Sequence, residues 1–440
     1  MQQWLKISLA LCSFGFFREF RPSEPFVTNF LTSTKWRNLT EDQINFEVYP
    51  VGTYSTLTLL VFVFLVTDIL RYKPIIIASS CAGIIIWSIL LWTTSLLALQ
   101  ISQFFYGFYM AAEVAYYTYM YAKVEKSKYQ KVTGNARAAI LTGRFTSSVI
   151  AQLLYSFDIM DFRELNYLTL GAQSISLIIA IFLPSVGISL YFYKVPNEEQ
   201  NDSTITDRSS SSTNVKPRFS YNRAGTLLWK HFLEAYSNPI VIQYSFWWAL
   251  AMAGFFMVQF YVQFLWLLIE DREVYNAGVE AVLTLFGALT AFFAGYLTSR
   301  TFKKYDLWIL AICSFLQGAM VLVSSQSNNI WVMYSMYVLF GTFFSFMITI
   351  ATAFVAQQLA DDSFALIFGI NTLIALIFQT ILTFVIMTWL NLQTRIQFFI
   401  FGCYFIVLAA IYLITAIIKA VFWGNDASNT YQINNDIKEN

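Results

Sequence analysis

Twelve apolar runs of roughly 20 residues, each closed by charges or turn residues, dominate this 440-residue sequence. They lie near residues 5–33, 48–70, 74–97, 99–122, 132–156 and 167–193, then 237–268, 277–299, 307–325, 330–359, 364–389 and 396–420. As a helix, a run of that length spans the ~30 Å hydrocarbon core of a bilayer. Lipid offers the backbone no partners, so only helices or closed barrels can cross it. The alternating segments of about ten residues that mark a barrel do not occur. The expected fold class is all-α integral membrane, with twelve transmembrane helices. One soluble core could not hide this much apolar surface: 57% of residues are hydrophobic and only 12% charged, against about 25% charged in an average soluble domain.

Between the sixth and seventh runs lies NEEQNDSTITDRSSSSTNVKPRFSYNR, nearly free of aliphatic residues. Such a composition reads as a disordered spacer, and its four consecutive serines, Ser209–Ser212, as unmodified linker. The plan is therefore a six-helix half at 1–193, a cytoplasmic Ser/Asn-rich linker at 194–236, a second six-helix half at 237–420 and a cytoplasmic tail at 421–440. TDILRYKP (67–74) and TSRTFKKYD (298–306) place a basic cluster at the same turn of each half. Parallel six-span halves are the plan of the major facilitator fold.

Orientation follows from the cations. With the N-terminus inside, the inner segments hold 18 Lys and Arg, the outer loops 5, and the runs themselves the remaining 4. By the positive-inside rule both termini are cytoplasmic. Asn38-Leu39-Thr40 then falls in the first outer loop, where an N-glycan acceptor must lie. The first run continues into REFRPSEPF without a cleavage site, so it is kept as a span and not a signal peptide.

An ionised side chain at mid-bilayer costs about 2.5–3.5 kcal/mol on insertion scales, so those retained mark ion pairs or substrate paths. Here they are Arg18, Glu19, Arg21, Glu24, Asp68, Glu113, Arg137, Arg144 and Glu280. Glu113 is the lone carboxylate of YGFYMAAEVAYYTYMY. On a continuous helix Tyr109, Tyr116 and Tyr117 are its neighbours, with Tyr106 a turn further. Two readings stand: a Glu neutralised by a buried Arg or a proton, or a cation site whose tyrosine faces add about 0.5–2 kcal/mol each. If transport is coupled to protons, Glu113 is the candidate carrier.

Glu24 lies between Pro22 and Pro25, which interrupt the first run; it is either exposed to a substrate path or neutralised by Arg21 at a kink. Glu280 stands near the outer start of the eighth run, where a carboxylate also favours the helix dipole. Arg137, near an inner end, is expected to pair with Asp68 as a structural ion pair, or with an inner carbonyl. Trp247, Trp248, Trp266 and Trp423 read as interfacial belt residues. Cys12, Cys81, Cys313 and Cys403 are far apart in apolar runs and His231 is the only histidine, so no metal, cofactor or catalytic site is expected. A net charge of +1 gives no reason for a nucleic-acid partner. Polar groups spread singly over several helices suit a substrate path better than a reaction centre, so the chain is not read as an enzyme.

These residues resemble a known family, that of the reduced folate carriers and thiamine transporters, over nearly the whole chain. FREFRPSEPF, YPVGTYSTLTLLVFVFLVTDILRYKP, GFYMAAEVAYYTYMYAKV, YQKVTGNARAAILTGRFTSSVIAQLL, YSFWWALAMAGF, YNAGVEA and FGINTLIALIFQTILT carry the resemblance in order. It implies a twelve-helix vitamin transporter of the plasma membrane working by alternating access. AAEVAYY looks like the thiamine-carrying branch; the mammalian folate carrier has an Arg in place of this Glu. A thiazolium cation suits carboxylates and aromatic faces, whereas a folate dianion needs Arg or Lys. By resemblance Glu113 and Tyr116 contact thiamine, with Glu24, Tyr49, Trp87 and Glu280 around the site. Two positions depart from that branch: Gly52 replaces a Trp, expected to widen the outer end of the site, and Phe260 replaces an Asn. The alternatives are a reduced folate transporter, which needs Arg18, Arg21 or Arg144 free to face the substrate, and a membrane vitamin receptor that does not transport.

Overall fold

A computed structural model describes residues 3–123, 129–186, 193–194, 218–219, 221–269, 274–296, 300–359 and 364–436. Fifteen α-helices account for nearly all of them: α1 (Gln3–Glu19), α2 (Val27–Thr32), α3 (Tyr49–Ile69), α4 (Lys73–Trp92), α5 (Leu96–Ala111), α6 (Glu113–Lys123), α7 (Tyr129–Ser156), α8 (Glu164–Phe182), α9 (Tyr221–Tyr236), α10 (Pro239–Leu267), α11 (Asn276–Tyr296), α12 (Arg300–Gln326), α13 (Ile330–Gln358), α14 (Phe364–Thr383) and α15 (Thr394–Asp436). The described strands are two-residue pieces, Tyr193–Lys194 and Arg218–Phe219, paired antiparallel.

Among the described residues, eight helical stretches are long and apolar enough to cross a membrane. They match the second, third, sixth, seventh and ninth to twelfth expected runs. The first and fourth runs are each split into two helices, α1 with α2 and α5 with α6. The fifth, α7, carries Arg137 and Arg144, and the eighth is a shorter apolar helix over Asn276–Thr290.

Each interruption has a local cause. After α1 the chain turns through Pro22 and Pro25, which lack N–H donors; short bonds from Glu24 N–H to Arg21 C=O and from Phe26 N–H to Ser23 C=O carry it into α2. Pro50 also has no N–H to give, and the preceding residues 43–48 widen into a π turn, with Tyr49 N–H bonded to Ile44 C=O. No proline explains the break between α5 and α6. There the Tyr109 carbonyl accepts from Arg18 Nη2 at 2.8 Å, a side chain inserted into the helical ladder.

The packing repeats. α1 lies against α7, α3 against α5 and α4 against α8; later in the chain α10 lies against α14, α11 against α13 and α12 against α15. In run order this is first with fifth, second with fourth and third with sixth, made twice. Contacts of α7 with α11 and of α3 with α14 join the two sets. Small residues permit the close approaches: a Cβ on Gly143 of α7 would lie 2.5 Å from the Phe16 carbonyl of α1.

Three expectations change. Trp247, Trp248 and Trp266 are buried core residues and not an interfacial belt: Trp247 donates to Ser314 Oγ at 3.0 Å, and Trp266 packs edge-on against Tyr334 and Tyr337. The side chain of Trp423 lies outside the described residues. The last part of the expected linker is helical, as α9, where Phe232 and Tyr236 lie one turn apart with their rings in contact. Lastly, α15 runs on to Asp436, past the expected end of the final span.

Candidate functional site

The charged residues of the first run meet those of α6, α7 and α11 in one network. Glu19 is its hub: it accepts from Arg144 Nε at 2.6 Å, Arg21 Nη2 at 2.8 Å and Arg18 Nη1 at 3.4 Å. Arg21 also donates to Glu24 Oε1 at 2.8 Å, where Tyr106 OH adds a bond of 3.1 Å. Arg18 Nη1 stands 4.0 Å from Glu113 Oε2. Glu280 takes a 2.7 Å bond from Tyr337 OH, and its charged neighbours are Glu24 and Arg144.

Three carboxylates (Glu19, Glu24, Glu113) meet three guanidinium groups (Arg18, Arg21, Arg144) in ion pairs; with Glu280, which is bonded to Tyr337, also ionised, one negative charge is in excess. That charge is not on Glu19, whose side chain is 3% exposed and bonded to all three arginines. Glu113 and Glu24 are 33% and 38% exposed. The open end of the network is therefore carboxylate, with Tyr106 beside Glu24.

The expected site residues divide into two groups. Glu24, Glu113 and Glu280 belong to the network, and Tyr49 joins them through its contact with Thr28, which shares its turn with Glu24: Tyr49 OH and Thr28 Oγ1 are 3.1 Å apart. Trp87 and Tyr116 are buried behind it. Trp87 Nε1 donates to Ser23 Oγ at 3.0 Å, bracing the turn that carries Glu24. Tyr116 OH donates to the Leu11 carbonyl at 3.0 Å, fastening α6 to α1. The continuous strip of phenols around Glu113 is broken, because Glu113 opens a new helix. Arg137 is exposed, and the side chain of its expected partner Asp68 lies outside the described residues. Asn38 is exposed in the connection before residue 43, with a left-handed φ of 51° that Asn tolerates.

The two departures also find places. Gly52 points at α5, where an added Cβ would lie 2.5 Å from Gln103 Oε1; it sits in the α3–α5 seam and does not widen the site as expected. Phe260 meets the Tyr106 ring edge-on, with centroids 6.5 Å apart, and so walls the Tyr106–Glu24 pair. Three participants were not foreseen. Glu19 as hub, Tyr106 as donor to Glu24 and Tyr337 as donor to Glu280 depend on pairings across 125, 82 and 57 residues, which no local pattern encodes.

A helical membrane bundle that makes the same three pairings twice, around a partly open charged centre, is the build of a major-facilitator transporter. Solved structures agree on the fold: the POT family transporter PepTSo matches with a TM-score of 0.66 at 11% identity, covering 96% of this chain and 99% of that one. The nucleoside transporter NupG matches at 0.59 and 14%, covering 92% and 98%.

Sequence narrows the class. The family model for the reduced folate carrier matches residues 2–400, and the chain belongs to that family of membrane transporters. It is 37% identical to thiamine transporter 1 of Mus musculus, covering 95% of this chain and 91% of that protein. It is 36% identical to thiamine transporter 2 of Homo sapiens (93% and 89%) and 32% identical to the reduced folate transporter of Homo sapiens (96% and 73%).

Proposed function

We propose that this protein carries thiamine, or a closely related organic cation, into the cell across the plasma membrane by alternating access. The observation that carries this is the pair of partly exposed carboxylates, Glu113 and Glu24, with aromatic rings beside them. An organic cation would pair with them, and ring faces would add cation–π attraction. The relatives named for thiamine support the same reading. Glu113 is the charge partner and the proton carrier if uptake is proton-coupled. Glu24, Tyr49 and Glu280 line the site, and Trp87 and Tyr116 support it from behind.

Residues 1–193 and 237–420 act as the two moving halves, joined by 194–236, with both termini cytoplasmic and a glycan on Asn38. Transport of a folate dianion is disfavoured by the arginines: Arg18, Arg21 and Arg144 are all bonded to Glu19.

The test is uptake of labelled thiamine and labelled reduced folate, side by side, in cells lacking their own carriers. Saturable thiamine uptake that Glu113→Gln lowers by about tenfold or more, the worth of one lost charge contact, is expected. Folate uptake that survives the substitution, with no thiamine signal, would overturn the substrate. Binding without accumulation in vesicles would make the protein a receptor.

A further inference from the structure

Two glutamines from different parts of the chain make the same contact. Gln263 on α10 accepts from the Thr28 N–H at 3.3 Å and donates to the Glu24 carbonyl at 3.3 Å. Gln152 on α7 accepts from the Gly278 N–H at 2.9 Å and donates to the Val274 carbonyl at 3.0 Å. In both pairs the carbonyl precedes the N–H by four residues, the interval of an α-helical hydrogen bond. Each side-chain amide is thus interposed where one turn of backbone would close. A side-chain amide carries a carbonyl and an NH2 together, so it answers both groups at once. Thr28 and Gly278 lie in the first turns of α2 and α11, where N–H groups have no acceptor within the helix.

Both contacts cross between the two sets of paired helices, and they do so at one end of the bundle. Gln263 reaches from the seventh run to the first, Gln152 from the fifth to the eighth. Further polar contacts seal the same end: Asn276 Nδ2 donates to the Pro25 carbonyl at 3.3 Å and to Asn29 Oδ1 at 3.1 Å, and Tyr54 OH lies 2.8 Å from Thr388 Oγ1. Ala277 is fully buried there in a cluster with Phe26, Ala151 and Leu165.

We infer that Gln152 and Gln263 form a two-point latch that shuts this end of the transporter, and that Gln263 is a positioning residue for Glu24. When the end opens, each amide withdraws and the bonds from Thr28 N–H to Glu24 C=O and from Gly278 N–H to Val274 C=O close in its place. No buried backbone group is stranded in either state, so the exchange avoids the penalty for an unpaired polar group. Because the Glu24 backbone is held from α10 only in the closed state, the carboxylate in the site is tied to the gate. The inference rests on the transport reading for its use, though not for its test.

The test uses the full chain with its four cysteines replaced by Ser and with Ala277→Cys as the reporter. A membrane-impermeant maleimide is applied to intact cells without substrate, and surface protein is quantified in parallel. Gln152→Leu and Gln263→Leu each delete one latch point and are expected to speed labelling roughly fivefold. Gln152→Glu keeps the shape and the acceptor but loses the donor, so it should speed labelling too, and it serves if the Leu variants do not reach the surface. In uptake, the external KM should fall together with Vmax, the mark of a carrier resting open; simple damage to the site would raise KM. Labelling within about twofold of the parent in every surface-expressed variant would overturn the latch. Faster labelling without thiamine uptake would leave the latch standing and remove the thiamine reading instead.

Discussion

Arg18 and Tyr109 each bond the other's main-chain carbonyl: Arg18 Nη2 reaches Tyr109 C=O at 2.8 Å, and Tyr109 OH reaches Arg18 C=O at 2.7 Å. Both carbonyls belong to the last turns of helices that stop short, α1 at Glu19 and α5 at Ala111. The guanidinium also lies 4.5 Å from the centre of the Tyr109 ring. Two broken helices thus hold each other's breaks in place. Tyr109→Phe removes one donor, but Gln173 Nε2 still serves the Arg18 carbonyl at 3.0 Å. The expected loss is about 1 kcal/mol of stability, the low end for a buried bond. Arg18→Met takes a partner from both the Tyr109 carbonyl and Glu19, and should cost about 3 kcal/mol or more. Thermal unfolding of the purified protein in detergent ranks the two.

Removing Arg144 should be repaired by a second change. Arg144→Gln leaves buried Glu19 with two of its three cations, and about 3 kcal/mol is expected, the lower end for breaking a buried pair. Adding Glu19→Gln should recover part of that loss, because the buried carboxylate with an unfilled bond is gone, while Arg18 and Arg21 each lose one contact. A double variant less stable than Arg144→Gln would show that Glu19 is held for its bonds to Arg18 and Arg21 and not for Arg144. Detergent melting curves and surface yield are the readouts.

Tyr106→Phe frees the Glu24 carboxylate of one donor, and Tyr337→Phe does the same for Glu280. A hydrogen bond to a charged group is worth about 1.5–3 kcal/mol. Each variant should therefore raise the thiamine KM roughly tenfold with little change in Vmax. Phe260→Ala removes the ring that meets Tyr106 edge-on and should raise KM a few-fold, in line with about 0.5–1.5 kcal/mol for such a pair. Initial uptake rates at graded thiamine concentrations separate KM from Vmax.

Asn38 tests the orientation. If its loop faces outward, digestion with a glycosidase should lower the protein's apparent mass, and Asn38→Gln should remove the difference. Nearby, Arg37 Nη2 donates to the Ile89 and Leu90 carbonyls at 2.8 and 2.6 Å, closing the end of α4. Burial pushes this guanidinium down to about 10. Folding thus disfavours the charged form, but a guanidinium keeps its charge, and its two carbonyl acceptors offset part of that cost. Arg37→Ala should nonetheless cost about 1 kcal/mol or more, chiefly through the Leu90 carbonyl, since Thr93 still bonds Ile89 C=O; this is seen as a lower melting temperature in both glycosylated and Asn38→Gln protein.

Much of this was legible in the chain. Apolar runs of membrane length and the prolines flanking Glu24 act locally, and each reports on the few residues around it. The break at Ala112 was not legible, because the group that opens it, Arg18, lies 91 residues from the Tyr109 carbonyl. Gly52 misled for a related reason. A missing side chain looked like added room for a substrate, whereas the space is filled by Gln103 of a neighbouring helix. Glu24, Glu113 and Glu280 could be found because a carboxylate in an apolar run is conspicuous. Their tyrosine donors could not, since this sequence has 26 tyrosines and nothing local distinguishes Tyr106 or Tyr337.

With Glu280 ionised, the odd charge at the centre also decides which half of a transport cycle the membrane voltage can drive. Filled by a monocation, four carboxylates and three guanidinium groups become electrically neutral, and the loaded site reorients without feeling the field. Emptied, it carries one net negative charge, worth up to about 2.3 kcal/mol per 100 mV if it crosses the whole field. A cell interior held negative pushes that vacant site back outward. On the thiamine reading, depolarising the cell should slow the return of the empty carrier and leave the inward step untouched.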